Sequence, residues 1–303
     1  MKESLRIIYQ ALAQMNLNLQ QALQIYSIFR HTQTLDKSLV KTLENIINPN
    51  IMELGHASLL NVYFFYAAVP SEFSGLNPPF RDINIYVKYH FKKLSFSTLL
   101  DLVIASLQID FQEKVDSVAY LPVFDSQIWS QIIDQLFQAN PENLSVKEKA
   151  KYFRTVKLLS LVIKNDILHA PLLKEKMSSL SKNFLAIADV IESEFQKEIE
   201  GHLKSLQRIY EKEKLLEDML FVDFFIYKKK VLEVNGPSHY FVVFEGNEEK
   251  YLENRSTAFK RKILELLGYE YFSVSFHEWF ALEDKHEKLQ YITKKLNKKI
   301  PPY

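Results

Sequence analysis

The first 210 residues hold only three of the chain's six glycines, and their apolar side chains return at helical spacing. A long stretch with few points of free backbone rotation and a period near 3.6 can bury its apolar stripes only as packed helices. Leu5, Ile8, Leu12 and Met15 form one stripe, and Leu23, Tyr26, Ile28 and Phe29 a second. Leu39, Leu43, Ile46 and Ile47 make a third that stops before Asn48-Pro49. Ile128, Ile132, Leu136 and Phe137 mark a helix ended by Asn140-Pro141. Ser145 with Glu148 reads as a capping box that opens a helix carrying Tyr152, Phe153, Val156, Leu159 and Val162. Residues 75–81, with Pro78-Pro79, read as a surface loop. The breaks between stripes are short, which predicts helical hairpins stacked side by side. No constant side chains recur at a constant period, so no named repeat family follows. Residues 180–214 read as one or two long helices with a salt-laced outer face. The expectation is an all-helical, possibly repeat-like domain over residues 1–210.

From residue 215 the pattern changes. Met219–Tyr227 is rich in aromatic and β-branched residues, Lys228-Lys229-Lys230 makes a charged turn, and Val231–Asn235 is a second apolar run ended by Gly236-Pro237. This predicts a β-hairpin. Ser256 or Thr257 then caps a helix with Phe259, Ile263, Leu266 and Leu267 inward, closed by Gly268. Tyr271–Ser275 reads as a strand, His277–Leu282 as a helical turn, and Lys285–Lys299 as a last helix with Leu289, Ile292 and Leu296 inward. The predicted order β-β-α-β-α makes residues 215–303 a small α/β domain.

Composition removes several functions. With no cysteine there are no disulfides, thiolate nucleophiles or Cys-held zinc. The eight histidines show no metal-helix spacing. The apolar run Leu59–Val69 is broken by Asn61 and is about half the length of a membrane span. Met1–Leu19, with Lys2 and Arg6 among apolar residues, reads as the first helix of the domain or as a weak targeting helix. The net charge is +1, and residues 215–303 contain as many acids as bases. A nucleic-acid surface must therefore come from local clustering.

Two carboxylates stand out. Asp223 lies in the first predicted strand and Glu233 in the second, with Asn235 two residues on and pointing to the same face. Adjacent carboxylates on apolar strands are costly unless they meet a cation or hydrogen-bond donors, so they are a candidate Mg²⁺ site or, equally, a pair tied up by the turn. His239 is a candidate site member or a strand-end cap. Candidate phosphate contacts are Lys228, Lys229 and Lys230 in the turn, Arg255, Lys260, Arg261 and Lys262 at the helix start, and Lys294, Lys295, Lys298 and Lys299 near the end. Each basic group also has the plain reading of a solvated face. Trp279 is either core or a base-stacking platform.

The blocks Val222-Asp-Phe-Phe-Ile226, Leu232-Glu-Val-Asn-Gly-Pro-Ser-His-Tyr240, Arg255–Tyr269 and His277-Glu-Trp279 stand in an order that resembles a RAP domain. More distantly they are similar to very-short-patch-repair endonucleases and the PD-(D/E)XK nuclease superfamily. The resemblance covers about residues 215–303 and implies a restriction-endonuclease-like α/β fold. It also implies an organellar, by this reading mitochondrial, protein with helices ahead of the RAP domain. Such a protein would act in RNA processing, stability or ribosomal RNA organisation, with RNA and ribosomal or other ribonucleoprotein components as partners. Asp223 and Glu233 match the superfamily's metal-binding acids, so Mg²⁺ is the one cofactor it suggests. Asn235 stands where the catalytic lysine usually stands, and Lys260 or Lys262 is placed to supply the charge instead. Three functions follow: an RNA-binding protein that does not cut, a metal-dependent endoribonuclease using Asp223 and Glu233, and a helical scaffold whose RAP domain binds protein.

Overall fold

The computed structural model describes residues 2–70, 73, 79–116, 124–164 and 193–297. Two compact units emerge, each drawn from two stretches of chain: Met1–Lys182 with Tyr240–Thr257, and Asn183–His239 with Ala258–Tyr303.

The first unit is built from α1 (Lys2–Ala13), α2 (Leu19–Thr32), α3 (Lys37–Ile47), α4 (His56–Ala68), α5 (Phe80–His90), α6 (Phe96–Asp116), α7 (Ser126–Gln138) and α8 (Val146–Lys164). Helix α2 packs on α3 and α4, α4 on α6, and α6 on α8, a serial stack of the kind the short breaks predict. Tyr26 stacks on Phe65 at 4.1 Å between ring centres, and Tyr66 donates a hydrogen bond to buried Glu44, so the stripes close into an aromatic core. The Ser145–Glu148 capping box forms in both directions at the start of α8. The loop expected over residues 75–81 falls largely outside the described residues, and Phe80 already belongs to α5.

This unit also contains a three-stranded sheet in the order β1 (Thr34–Asp36), β5 (Tyr240–Glu245), β6 (Glu248–Glu253). Strands β5 and β6 form a hairpin around Gly246-Asn247, with Gly246 at φ +63°, and were missed in the predicted element order. Strand β1 pairs in parallel with β5, Thr34 opposite Val242 and Asp36 opposite Phe244.

The second unit holds α9 (Glu194–Ser205) and a four-stranded sheet in the order β2 (Tyr210–Leu216), β3 (Leu220–Ile226), β4 (Lys230–Asn235), β7 (Glu270–Ser275). With them come α10 (Arg255–Leu266), α11 (Phe276–Trp279) and α12 (Lys285–Asn297). Strands β2, β3 and β4 are antiparallel neighbours, and β7 runs parallel to β4. Helix α10 is capped by Asn254, whose side chain accepts from the Thr257 N–H, one position before the caps the sequence suggested. It ends at Gly268, at φ +80°.

Strand β2 corrects the helical reading of residues 180–214. Its Glu-Lys-Glu-Lys run is an edge strand alternating across the sheet, where charge blunts an otherwise open hydrogen-bonding edge. Along β3 buried and half-buried residues alternate strictly. One sheet face therefore carries Phe224, Ile226, Leu232, Val234, Phe272 and Val274, which pack with Ile199, Leu203, Ile292, Leu296 and fully buried Trp279 into the core. Trp279 is thus a core residue and its indole donates to Glu198. The opposite face is left to Asp223, Glu233 and Asn235.

Candidate functional site

Strands β3 and β4 pair from Phe224 opposite Leu232 to Ile226 opposite Lys230, a register that sets Asp223 directly across from Glu233. The register of β2 with β3 likewise sets Glu213 across from Asp223. Three carboxylates on neighbouring strands so fall in one row on the face away from the core. Like charges in a row repel, and each is answered by a specific group.

Asp223 accepts two hydrogen bonds. Oδ2 takes the Val234 N–H at 2.6 Å, and Oδ1 takes Nε2 of Gln196 at 2.8 Å. The first bond occupies a backbone donor just past the last paired residues of β3 and β4, so the side chain stands in for the next rung of the ladder. Gln196 also donates to Glu213 at 2.9 Å, and its own carbonyl accepts from the Ser193 N–H in a capping box. The first turn of α9 thereby points its positive end at two of the three acids. Burial and the neighbouring Asp223 charge push the Glu213 carboxyl up. Glu213 also holds a left-handed backbone, φ +49°, in mid-strand. Neither Gln196 nor Glu213 was a predicted site residue; the Ser193-x-x-Gln196 spacing was the available signal.

Glu233 is 2% exposed. Its Oε2 receives the Lys260 ammonium from α10 at 2.6 Å, while Oε1 has no hydrogen-bond partner among the described atoms. Burial raises its pKa to about 7; the Lys260 charge opposes that rise and the Asp223 charge adds to it. Asn235, 1% exposed, has neither side-chain nitrogen nor oxygen partnered among the described atoms. His239 ends the Pro237–His239 turn beside the same charges: burial lowers its pKa, Asp223 raises it and Lys260 lowers it. Asp223, Glu233, His239 and Lys260 therefore form one constellation with Asn235 at its buried edge.

These groups do not fit a divalent cation. Magnesium takes carboxylate oxygens with waters and phosphates. Both oxygens of Asp223 are held by N–H donors, and one oxygen of Glu233 by an ammonium. Among the described residues no three His, Asp or Glu side chains converge as metal ligands.

The predicted cationic residues scatter. Lys228 and Lys229 form the β3–β4 turn, both with left-handed backbones, and Lys230 donates to the Leu296 carbonyl and pairs with Glu270. Lys260 is drawn into the acid row. Arg261 and Lys262 are half-buried on α10, where both attract Glu265. Arg255 is 5% exposed and donates through Nε to the Val69 carbonyl, which makes it part of the packing of the helical unit rather than of an exposed cationic set. On α12, Lys294 is exposed and Lys295 pairs with Glu278. Lys298 and Lys299 lie outside the described residues.

A helical region followed by a small mixed α/β domain, with two strand carboxylates answered by a lysine from the next helix, defines the class of this protein. Residues 232–295 match the RAP domain family, and the chain carries a RAP domain there. The matched span includes Glu233, Asn235, His239 and Lys260; Asp223 precedes it. A RAP domain-containing protein, chloroplastic, from Oryza sativa subsp. japonica is 33% identical over 100 residues. That similarity spans 33% of this chain and about 15% of the rice protein's length.

Proposed function

We propose that this protein binds RNA through its RAP domain and does not cut it. RAP domains are associated with RNA binding, and the state of the acid row carries the second half of the reading. Hydrolysis needs a metal or base at the phosphate and a positioned group that helps water lose its proton; losing one such group costs about 10²–10⁴-fold. Here Asn235 takes the place of the usual lysine, Asp223 is spent on two N–H donors, and Glu233 on Lys260. The row then serves as a structural clasp that ties α9, β3, β4 and α10 together. The rice protein's name supports an organellar setting, and we place this chain in an organelle, the mitochondrion being the expectation from the sequence. Its near-neutral charge suits a component of a ribonucleoprotein, where protein as well as RNA is met.

The test is purified full-length chain with labelled single-stranded and structured RNA, in Mg²⁺ and in Mn²⁺. Binding without cleavage is expected, with affinity retained in Asp223→Asn. Multiple-turnover cleavage that disappears in Asp223→Asn and Lys260→Ala would replace this reading with the nuclease. That second reading has one observation in its favour: the Lys260 ammonium sits 2.6 Å from Glu233 and could stand for the charge absent at Asn235. Imaging of the chain with a C-terminal fluorescent tag checks the organelle.

A further inference from the structure

We propose that the groove at the β3–β4 turn is a single-nucleotide seat for single-stranded RNA, with Tyr227 as its stacking platform and Arg208 and Lys228 as its phosphate contacts. The inference rests on the RNA-binding reading and deepens it by assigning the contact surface.

The groove measures about 410 Å³ and is lined by Arg208, Ile209, Tyr227, Lys228, Lys230 and Leu296, among others. This is within the ~300–1,000 Å³ range of small-ligand clefts, enough for one base and its sugar. All of its walls belong to the RAP-bearing unit. Backbone pairing brings the walls together: the Tyr227 N–H donates to the Ile209 carbonyl where the β2 and β3 ends meet.

Three observations give the groove its chemistry. First, Tyr227 is 68% exposed and Ile209 78% exposed, whereas most large apolar residues of this unit are buried. A flat aromatic ring left in water at a groove mouth is what base stacking uses. Second, the lining contains three cations and no carboxylate. Glu270 and the Leu296 carbonyl engage Lys230, which makes that lysine part of the floor. Arg208 and Lys228 face no printed acid partner; Arg208 holds only a long 3.3 Å bond to Asn297, and its Nε has no partner among the described atoms. Lys228 Nζ stands 5.9 Å from the centre of the Tyr227 ring, near the edge of cation–π range. Third, Lys228 and Lys229 hold φ +68° and +61°, positions that glycine or asparagine occupies at lower cost. A turn that keeps lysines there retains charge at the groove against local backbone preference.

An anionic polymer with planar bases matches this set better than a protein surface would. A peptide would find the aromatic ring but leave the unbalanced cations without partners.

The full-length chain and its Tyr227→Ala, Tyr227→Phe and Arg208→Ala/Lys228→Ala variants are titrated with a labelled uridine dodecamer by fluorescence anisotropy. Tyr227 and Lys228 are exposed turn residues, so the fold is expected to survive, as circular dichroism would verify. Stacking is worth about 1–3 kcal/mol per base, so Tyr227→Ala should weaken binding roughly 5–150-fold and Tyr227→Phe hardly at all. The double cation variant should lower the salt slope by about two. Ultraviolet crosslinking should label peptides containing Tyr227. Wild-type affinity in Tyr227→Ala, or crosslinks confined to Arg261 and Lys262 on α10, would overturn the groove assignment while leaving RNA binding intact. Full-length chain that binds no RNA would overturn both, and a polypeptide crosslinked at Tyr227 with RNA affinity unmoved by the variants would assign the groove to protein.

Discussion

At the scale of single residues, Glu233 is the most consequential side chain. Its carboxyl is raised from 4.5 to about 7 by burial, against the pull of Lys260. A carboxyl that holds its proton more tightly when folded binds more protons in the native than in the unfolded state between those values. Stability therefore falls as pH rises from about 4.5 to 7, and levels off above. His239 works in the opposite sense: its pKa is lowered in the fold, so its contribution rises as pH climbs through the ordinary histidine range. The difference between wild type and Glu233→Gln isolates the first effect. Urea midpoints at pH 5, 6, 7 and 8 should fall less steeply with pH in Glu233→Gln than in wild type; parallel curves would show that Glu233 does not titrate there. The carboxylates themselves were legible in the sequence because acids are rare on aromatic strands. Their partners were not. Lys260 was visible only as one member of a basic cluster, and Gln196 and Glu213 come to Asp223 from elements whose spatial neighbours no local pattern specifies.

At the scale of elements, the sequence spoke clearly wherever one face is buried and one is wet. Strand β3 alternates, α8 announces itself by its capping box, and α10 stops at Gly268. It misled where a strand carries charge on both sides. The Glu-Lys-Glu-Lys of β2 has the composition of a solvated helix, and only its place at the sheet edge makes it a strand. The β5–β6 hairpin was readable from the Gly246-Asn247 turn between apolar and charged runs, a signal outweighed by the loop-like Gly236-Pro237 just before it. The β3–β4 turn supports a prediction of its own. Replacing Lys228 with glycine relieves a left-handed side chain and should raise unfolding stability by about 1 kcal/mol. The same change removes a phosphate contact and should weaken uridine dodecamer binding. Chemical denaturation and anisotropy on one sample check both signs; lower stability would mean that the lysine is not strained there.

For the whole molecule, charge sets how RNA is met. At +1 overall there is little long-range field to draw in an anion, so attraction is confined to local patches. The slope of log K against log salt should be about 1–3, since each neutralised phosphate of a single strand contributes roughly 0.7. Titrations between 50 and 300 mM KCl decide this, and a slope near 10 would require a far larger basic surface. Among the described residues no helix is long and apolar enough to cross a membrane. One further consequence lies in time rather than space. Strand β1 finds its partner β5 208 positions later, Thr34 with Val242. At ~5–20 residues per second the ribosome delivers that partner roughly 10–40 s after β1 has emerged. Throughout that interval Thr34, Leu35 and Asp36, all buried in the finished protein, wait with an open strand edge. Nascent chains halted before residue 240 should be cut readily by protease near Thr34 and should bind chaperones, and chains extended past Glu253 should resist. The helical part of this protein is thus the first to be made and cannot be the first to be finished.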